Sequence, residues 1–210
     1  RLRDLAKASG ARCMVAWDRR FNPWILAARS AVEARGQVLQ LVGEFHKPTR
    51  TIADPRFPEA LKDNMLLETP IHSIDLVRAL AGSEVAEVHS VVRRAFSKYK
   101  DVHAALIVFE SGCVAQIIAN YTTDARLQRY EIHGRDISAY LEGISQGVVL
   151  HGGQRHELTE VGSGGTMEQA RFFLDCVRED RPVGLPAANL DEAVKTMELA
   201  EAILSGLREE

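Results

Sequence analysis

The chain has 210 residues, 46% of them hydrophobic and 26% charged, with a formal net charge of −3. That is ordinary globular composition, enough for one large core or two small ones. It carries no basic excess suited to nucleic acid or an anionic membrane, no apolar run of bilayer length and no signal-peptide pattern. Three widely spaced cysteines, Cys13, Cys113 and Cys176, form no C-x-x-C. They read as buried thiols of a reducing, cytoplasmic setting, neither a disulfide framework nor a zinc site. The first residue is Arg1 rather than Met, which reads as a fragment or a processed product.

Leu2 to Ser9 predicts a helix with Leu2, Leu5 and Ala6 on one face and Gly10 as its stop. Arg12 to Trp17 is a short apolar run that predicts a buried strand. One helix and one strand do not make a sheet domain, so residues 1–19 read as the end of another α/β unit and 20–210 as a domain of their own. Asn22 is a good N-cap and Pro23 suits a first helical position, so a helix is expected through Trp24, Ile25, Ala28 and Val32 to Gly36. Gln37 to His46 predicts a strand. Lys47 to Asp63 holds three prolines and reads as a long loop with at most one turn of helix.

Thr69 and Pro70 open a further helix that Gly82 closes. The pattern then changes to period two. Glu84–Phe96, Val102–Glu110 and Cys113–Tyr121 predict strands, the last two joined by a hairpin at Glu110-Ser111-Gly112. Leu127–His133 and Ile137–Leu141 flank Gly134-Arg135-Asp136 in the same way. Val148–Leu150 and Gln154–Val161 predict a weaker hairpin around Gly152-Gly153. Thr166-Met-Glu-Gln169 reads as a capping box opening a helix over Ala170–Arg178. Asn189 opens a last helix to about Arg208, with Ala193, Met197, Ala200, Ile203 and Leu204 as a core-facing stripe. The order predicts an α+β fold: an open, mostly antiparallel sheet with helices on one face.

The chemistry concentrates in Glu68-Thr-Pro-Ile-His72-Ser-Ile-Asp75-Leu-Val-Arg-Ala-Leu-Ala-Gly82. Helical spacing puts Glu68, His72 and Asp75 on one side. A His held by carboxylates exchanges protons near neutral pH. Spacing alone favours a capped surface helix with its charges in water. Asn22 reads as a cap. His89, His103, His133, His151 and His156 lack metal-ligand spacing and read as structural. No G-x-S-x-G or activated cysteine supports nucleophilic hydrolysis.

The Glu68–Gly82 segment resembles the substrate-domain motif of the Gfo/Idh/MocA family of nicotinamide-dependent oxidoreductases. That motif is an Asp, a His four later, an Asp, then an apolar run ending in Gly. Glu68 stands in place of the first Asp; His72, Asp75 and Gly82 match, with Leu76 and Leu80 at apolar positions. Arg20-Phe21-Asn22-Pro23 is similar to the family's R-F/Y-x-P, and Gly36-Gln-Val38 to its turn into the first sheet strand. His133-Gly134-Arg135 is similar to its i-x-G-x-x-G hairpin, with Ser138 replacing the second Gly. Phe172, Phe173 and Arg181-Pro182 fit its F…(R/K)P pattern. The G-x-G-x-x-G dinucleotide fingerprint and the E-K-P of the catalytic lysine are absent.

The resemblance implies that residues 20–210 are a substrate-binding and oligomerisation domain, and that 1–19 are the last helix and strand of a Rossmann-type domain. NAD or NADP would be bound mainly by that missing domain, with no cofactor or metal ligand assigned here and the fragment alone inactive. The substrate would be a sugar, a polyol such as an inositol, or a related carbonyl compound or alcohol. His72 is the expected proton donor or acceptor and Glu68 its electrostatic partner. Arg20, Asp75, Lys47 and Tyr121 are candidate substrate contacts; Asp75 reads first as a structural residue that binds a backbone amide or Arg78, and Lys47 and Tyr121 read equally as surface groups at strand ends. The alternative is a non-catalytic sensor or assembly module on the same fold. Ala104 to Val108 are consecutively apolar, so self-association into a dimer or tetramer through the open sheet face is expected.

Overall fold

The computed structural model describes residues 1–159 and 162–208. Its centre is one eight-stranded sheet. The strands are β1 (Gln40–Pro48), β2 (Val85–Arg93), β3 (Val102–Phe109), β4 (Val114–Thr123), β5 (Leu127–Gly134), β6 (Ile137–Glu142), β7 (Gln146–His151) and β8 (Gln154–Glu157). Their spatial order is β2-β3-β4-β1-β5-β6-β7-β8. All neighbours are antiparallel except β1 and β4, which run parallel. The hairpins form where period-two patterning met glycine turns. The first strand in sequence enters the sheet between two strands made much later, a placement that local patterning does not reveal.

The helices are α1 (Leu2–Ser9), α2 (Pro23–Glu33), α3 (Glu59–Lys62), α4 (Ile71–Ala81), α5 (Thr166–Arg178) and α6 (Leu190–Leu204). On one face of the sheet α2 packs on β5 to β7, α4 on β1 and β4, and α6 on β2 and β3. Leu41, Ile107, Ala115, Ile117, Tyr130 and Ile132 point into this layer against Ile25, Ile74, Val77 and Ile203, forming the main core. Gly43 lets α4 lie close: a Cβ there would sit 2.9 Å from Val77 Cγ2. The opposite face is open, with Leu106, Ile118, Tyr140 and Leu150 exposed. No helix among the described residues is long and apolar enough to cross a membrane.

Several local expectations change. Arg12 to Trp17 joins no ladder; among the described residues its backbone makes one bridge, Val15 to Ala188. Arg12 and Ala16 are exposed and Cys13 to Val15 only half-buried; Trp17 is the one fully buried residue of the run, with Val15 packed beside it against the main core. Cys13 is correspondingly half-exposed, while Cys113 and Cys176 are buried. Asn22 caps α2 as expected, accepting from the Ile25 amide at 3.1 Å, but the helix ends at Glu33, before Gly36. Thr69 does not cap α4, because its hydroxyl is engaged with Lys47 and Glu68. The capping box at Thr166 is displaced upstream. Ser163 Oγ accepts from the Met167 amide at 2.8 Å and donates to Glu168, while Thr166 is already helical. The end of the predicted last strand, Glu160 and Val161, lies outside the described residues.

One core histidine makes the fold sensitive to acid. His103 on β3 is fully buried; its Nδ1 lies 3.4 Å from the Ala119 carbonyl and its Nε2 has no partner. Burial depresses its pKa from 6.5 to about 4. The neutral ring belongs to the folded state, so its stabilisation is complete above about pH 6.5 and lost as pH falls toward 4. Urea unfolding is expected to show a loss on the order of 3 kcal/mol across that window. In His103→Gln, that slope should flatten.

Candidate functional site

The candidate site lies where three strand ends and one helix start converge. β1 and β4 are parallel and end together, with His46 beside Asn120, and β5 begins next to them, with Leu127 beside His46. The amino end of α4 sits over these termini. Carboxyl ends of adjacent parallel strands commonly form binding crevices, because loops diverge there and backbone groups are free.

Lys47 and Tyr121 reach this junction from β1 and β4, and both meet Glu68, which precedes α4. Lys47 Nζ donates to Glu68 Oε2 at 2.6 Å and to Thr69 Oγ1 at 2.7 Å. The Tyr121 hydroxyl lies 2.9 Å from the Met65 carbonyl and 3.3 Å from Glu68 Oε2. Thr69 also donates to Glu68. Burial alone would raise the Glu68 carboxyl, but the bonds from Lys47, Thr69 and Tyr121 outweigh it and hold it below its ordinary value. Burial pushes the Tyr121 phenol up, and the Glu68 charge adds to this. Glu68 is therefore an ionised carboxylate with a fixed ammonium partner.

His72 is the second residue of α4. The carboxylate it faces is Asp18, whose Oδ1 lies 3.7 Å from His72 Nδ1. Asp18 begins a single 3-10 turn, Asp18–Phe21. Its carboxylate accepts from Arg19 Nη1 at 2.6 Å and from the Thr166 hydroxyl at 3.0 Å. His72 Nδ1 is buried without a hydrogen bond. Burial and the Arg19 charge depress the His72 pKa more than Asp18 and Glu68 raise it, so the ring is neutral at neutral pH. Sequence reasoning missed Asp18 and Arg19, because the boundary placed between residues 19 and 20 cut through this turn. The signal was there: Asp18-Arg19-Arg20 puts three charges directly after an apolar run.

Arg20 and Asp75 are brought together, away from the Lys47–Glu68 cluster. Arg20 Nε and Nη2 donate to the two Asp75 oxygens at 2.8 and 2.7 Å, a bidentate pair with side chains 1% and 0% exposed. Thr196 donates to Asp75 at 3.1 Å, and Arg78 reaches Thr196 and Glu192 from the next turn of α4. Burial works against the Arg20 charge, yet Asp75 and Glu192 hold its pKa above the ordinary value. The hollow of about 780 Å³ on the far side of Arg20, lined also by Arg29, Leu76 and Leu185, contains none of the groups around His72. Among the described residues no group of three or more His, Cys, Asp or Glu is placed to hold a metal ion.

An open sheet carrying helices on one face, with polar groups gathered at the ends of its parallel pair, defines an open-faced α+β domain. The chain belongs to the Gfo/Idh/MocA family of oxidoreductases: residues 25–140 match the GFO/IDH/MocA C-terminal domain. It is 29% identical over 168 residues to the scyllo-inositol 2-dehydrogenase (NAD(+)) of Bacillus subtilis (strain 168), covering 73% of this chain and 44% of that protein. It is 26% identical over 165 residues to the inositol 2-dehydrogenase of Rhizobium meliloti (strain 1021), covering 73% and 46%. The chain thus spans less than half the length of these curated relatives. Among solved structures, the fold is similar to the aldose-aldose oxidoreductase from Caulobacter crescentus complexed with glycerol. The TM-score is 0.84 at 21% identity, over 98% of this chain and 64% of that one. The UDP-N-acetylglucosamine 3-dehydrogenase GnnA from Acidithiobacillus ferrooxidans gives 0.83 at 19% identity, over 98% and 65%.

The Arg20–Asp75 pair yields a stability prediction. Asp75→Asn keeps the shape but strands a buried guanidinium, so it should cost about 3–5 kcal/mol in urea unfolding. The double change Arg20→Met with Asp75→Leu should recover much of that loss, because no charge is left unpaired.

Proposed function

We propose that this chain is the substrate-handling domain of an NAD- or NADP-dependent oxidoreductase acting on a CH–OH or carbonyl group of a sugar or polyol, with an inositol as the first candidate. The observation that carries the reading is the placement of His72 at the amino end of α4, facing Asp18 and close to the Lys47–Glu68 ion pair at the ends of β1 and β4. The inositol dehydrogenases among its relatives support the substrate class.

A nicotinamide supplies hydride transfer, and the protein supplies binding, orientation and proton movement. The described residues offer no cradle for a dinucleotide. The glycine turn before α5 is closed by its own contacts: a Cβ at Gly165 would lie 2.0 Å from the Asp18 carbonyl oxygen. We therefore assign cofactor binding to a separate nucleotide-binding domain, with residues 1–19 as the end of that domain and this chain alone inactive.

In this reading His72 takes the hydroxyl proton of an alcohol, or returns it to a carbonyl oxygen. Its lowered pKa keeps it an acceptor near neutral pH. Lys47 and Glu68 bind neighbouring hydroxyls as donor and acceptor, and Tyr121 holds Glu68 in place. Arg20 and Asp75 shape the site from beneath, since their polar atoms are spent on one another. A second reading, a non-catalytic sensor, draws on the same ion pair: Lys47 and Thr69 already occupy the Glu68 carboxylate.

Turnover of inositols and hexoses with NAD+ or NADP+, measured in the natural gene product containing this chain, separates the two. His72→Ala is expected to lower kcat by roughly 10²–10⁴-fold with a smaller change in KM. No turnover by the wild type across that panel, together with retained polyol binding, would favour the sensor. The open face, with Leu106, Ile118, Tyr140 and Leu150 exposed, is assigned to self-association as a dimer or tetramer. Light scattering at micromolar concentration should report an oligomer, and a monomer would remove that assignment.

A further inference from the structure

We propose that Asp18 is a positioning residue for His72: it faces the buried Nδ1 edge of the imidazole, fixes the ring as the Nδ1–H tautomer and leaves Nε2 as the proton acceptor. This deepens the proposed function, and rests on it for the role of His72 but not for the geometry.

Asp18 is itself held on three sides. Its Oδ1 accepts from Arg19 Nη1 at 2.6 Å and its Oδ2 from the Thr166 hydroxyl at 3.0 Å. Thr166 is the first residue of α5, and the residue before it, Gly165, has φ 107° and packs directly on the Asp18 carbonyl. Any side chain at Gly165 would collide there, so the start of α5 is clamped to the Asp18–Phe21 turn.

Among the described residues the ring edge facing this carboxylate has no hydrogen-bond partner. His72 Nδ1 is buried, makes no hydrogen bond, and lies 3.7 Å from Asp18 Oδ1. A lone pair on Nδ1 would point at the lone pairs of an anionic oxygen. An N–H there is attracted, and a small ring rotation completes the bond. Among the described residues Nε2 makes no hydrogen bond, and it is not buried, so it keeps access to solvent. The charged groups around the ring are Asp18 and Arg19 from the turn, Glu68 from the approach to α4 with Lys47 bound to it, and Arg126 from the approach to β5. Burial, Arg19 and Arg126 favour the neutral ring; Asp18 and Glu68 favour the charged one. Removing the Asp18 charge therefore lowers the pKa further and frees the tautomer.

Ring ¹⁵N spectra of the 210-residue chain labelled at histidine test this without any need for turnover. His72→Gln assigns the signals. Above its titration the wild-type ring should show a protonated Nδ1 and an unprotonated Nε2. Asp18→Asn should lower the His72 pKa by about half a unit or more. Asp18→Ala should move the tautomer ratio toward Nε2–H. Unchanged signals from the other histidines certify that each variant is folded, and the wild-type tautomer needs no variant at all. An Nε2–H tautomer in the wild type, or an unmoved pKa in Asp18→Asn, overturns the proposal. In the natural gene product, the acidic limb of kcat/KM should shift with the ring pKa. A ring pKa that moves while that limb stays fixed keeps the Asp18 placement and removes His72 from proton transfer, so the two ideas fail separately.

Discussion

The buried pair of Arg20 and Asp75 is the constraint on which the site depends. Taking two opposite charges out of water is costly, and the cost is met only when geometry saturates both ions. Here the guanidinium fork meets both carboxylate oxygens, with Thr196 on the acid and Glu192 near the base. Three elements are thereby held in register: the Asp18–Phe21 turn, α4 and α6. Any slip of the turn along α4 would strand two charges at once. Asp18, two residues before Arg20, and His72, three before Asp75, inherit their mutual placement from this pair.

The groups above the pair differ in how firmly they are held. Glu68 has three donors around it, and Lys47 has two acceptors. His72 has none at hydrogen-bond distance. A side chain that is placed but unsatisfied is a common arrangement at sites built for a ligand rather than for stability. Glu in place of the family's Asp at position 68 is compatible with this, since its extra methylene lets the carboxylate reach Lys47 and Tyr121 from outside the helix.

Most of the fold was legible because its signals are local. Glycine turns between alternating segments marked the hairpins β3–β4 and β5–β6, and Asn22 and Asn189 marked helix starts that each accept a backbone N–H three residues on. What sequence did not show is what depends on distant partners. Arg12 to Trp17 reads as a strand from its own residues, but a strand needs neighbours, and only Ala188 pairs with it among the described residues. Thr69 and Thr166 look like caps until Lys47, Glu68 and Asp18 take their hydroxyls. The motif around His72 was visible as a pattern; the carboxylate facing it was not, because Asp18 approaches from 54 residues upstream through an irregular turn.

The insertion of β1 between β4 and β5 sets the order in which this protein can assemble. Gln40 pairs with Val114 on one side and His133 on the other, so β1 leaves the ribosome long before either neighbour exists. The hairpins that follow can close on their own within microseconds, but the strand that joins the two halves of the sheet must wait, with Leu41, Val42 and Phe45 unsheltered. Both ladders of β1 are thus non-local, and the junction at the ends of β1 and β4 exists only once that strand has paired. Until then the nascent chain presents an apolar strand with two unpaired edges, the kind of segment that molecular chaperones shield.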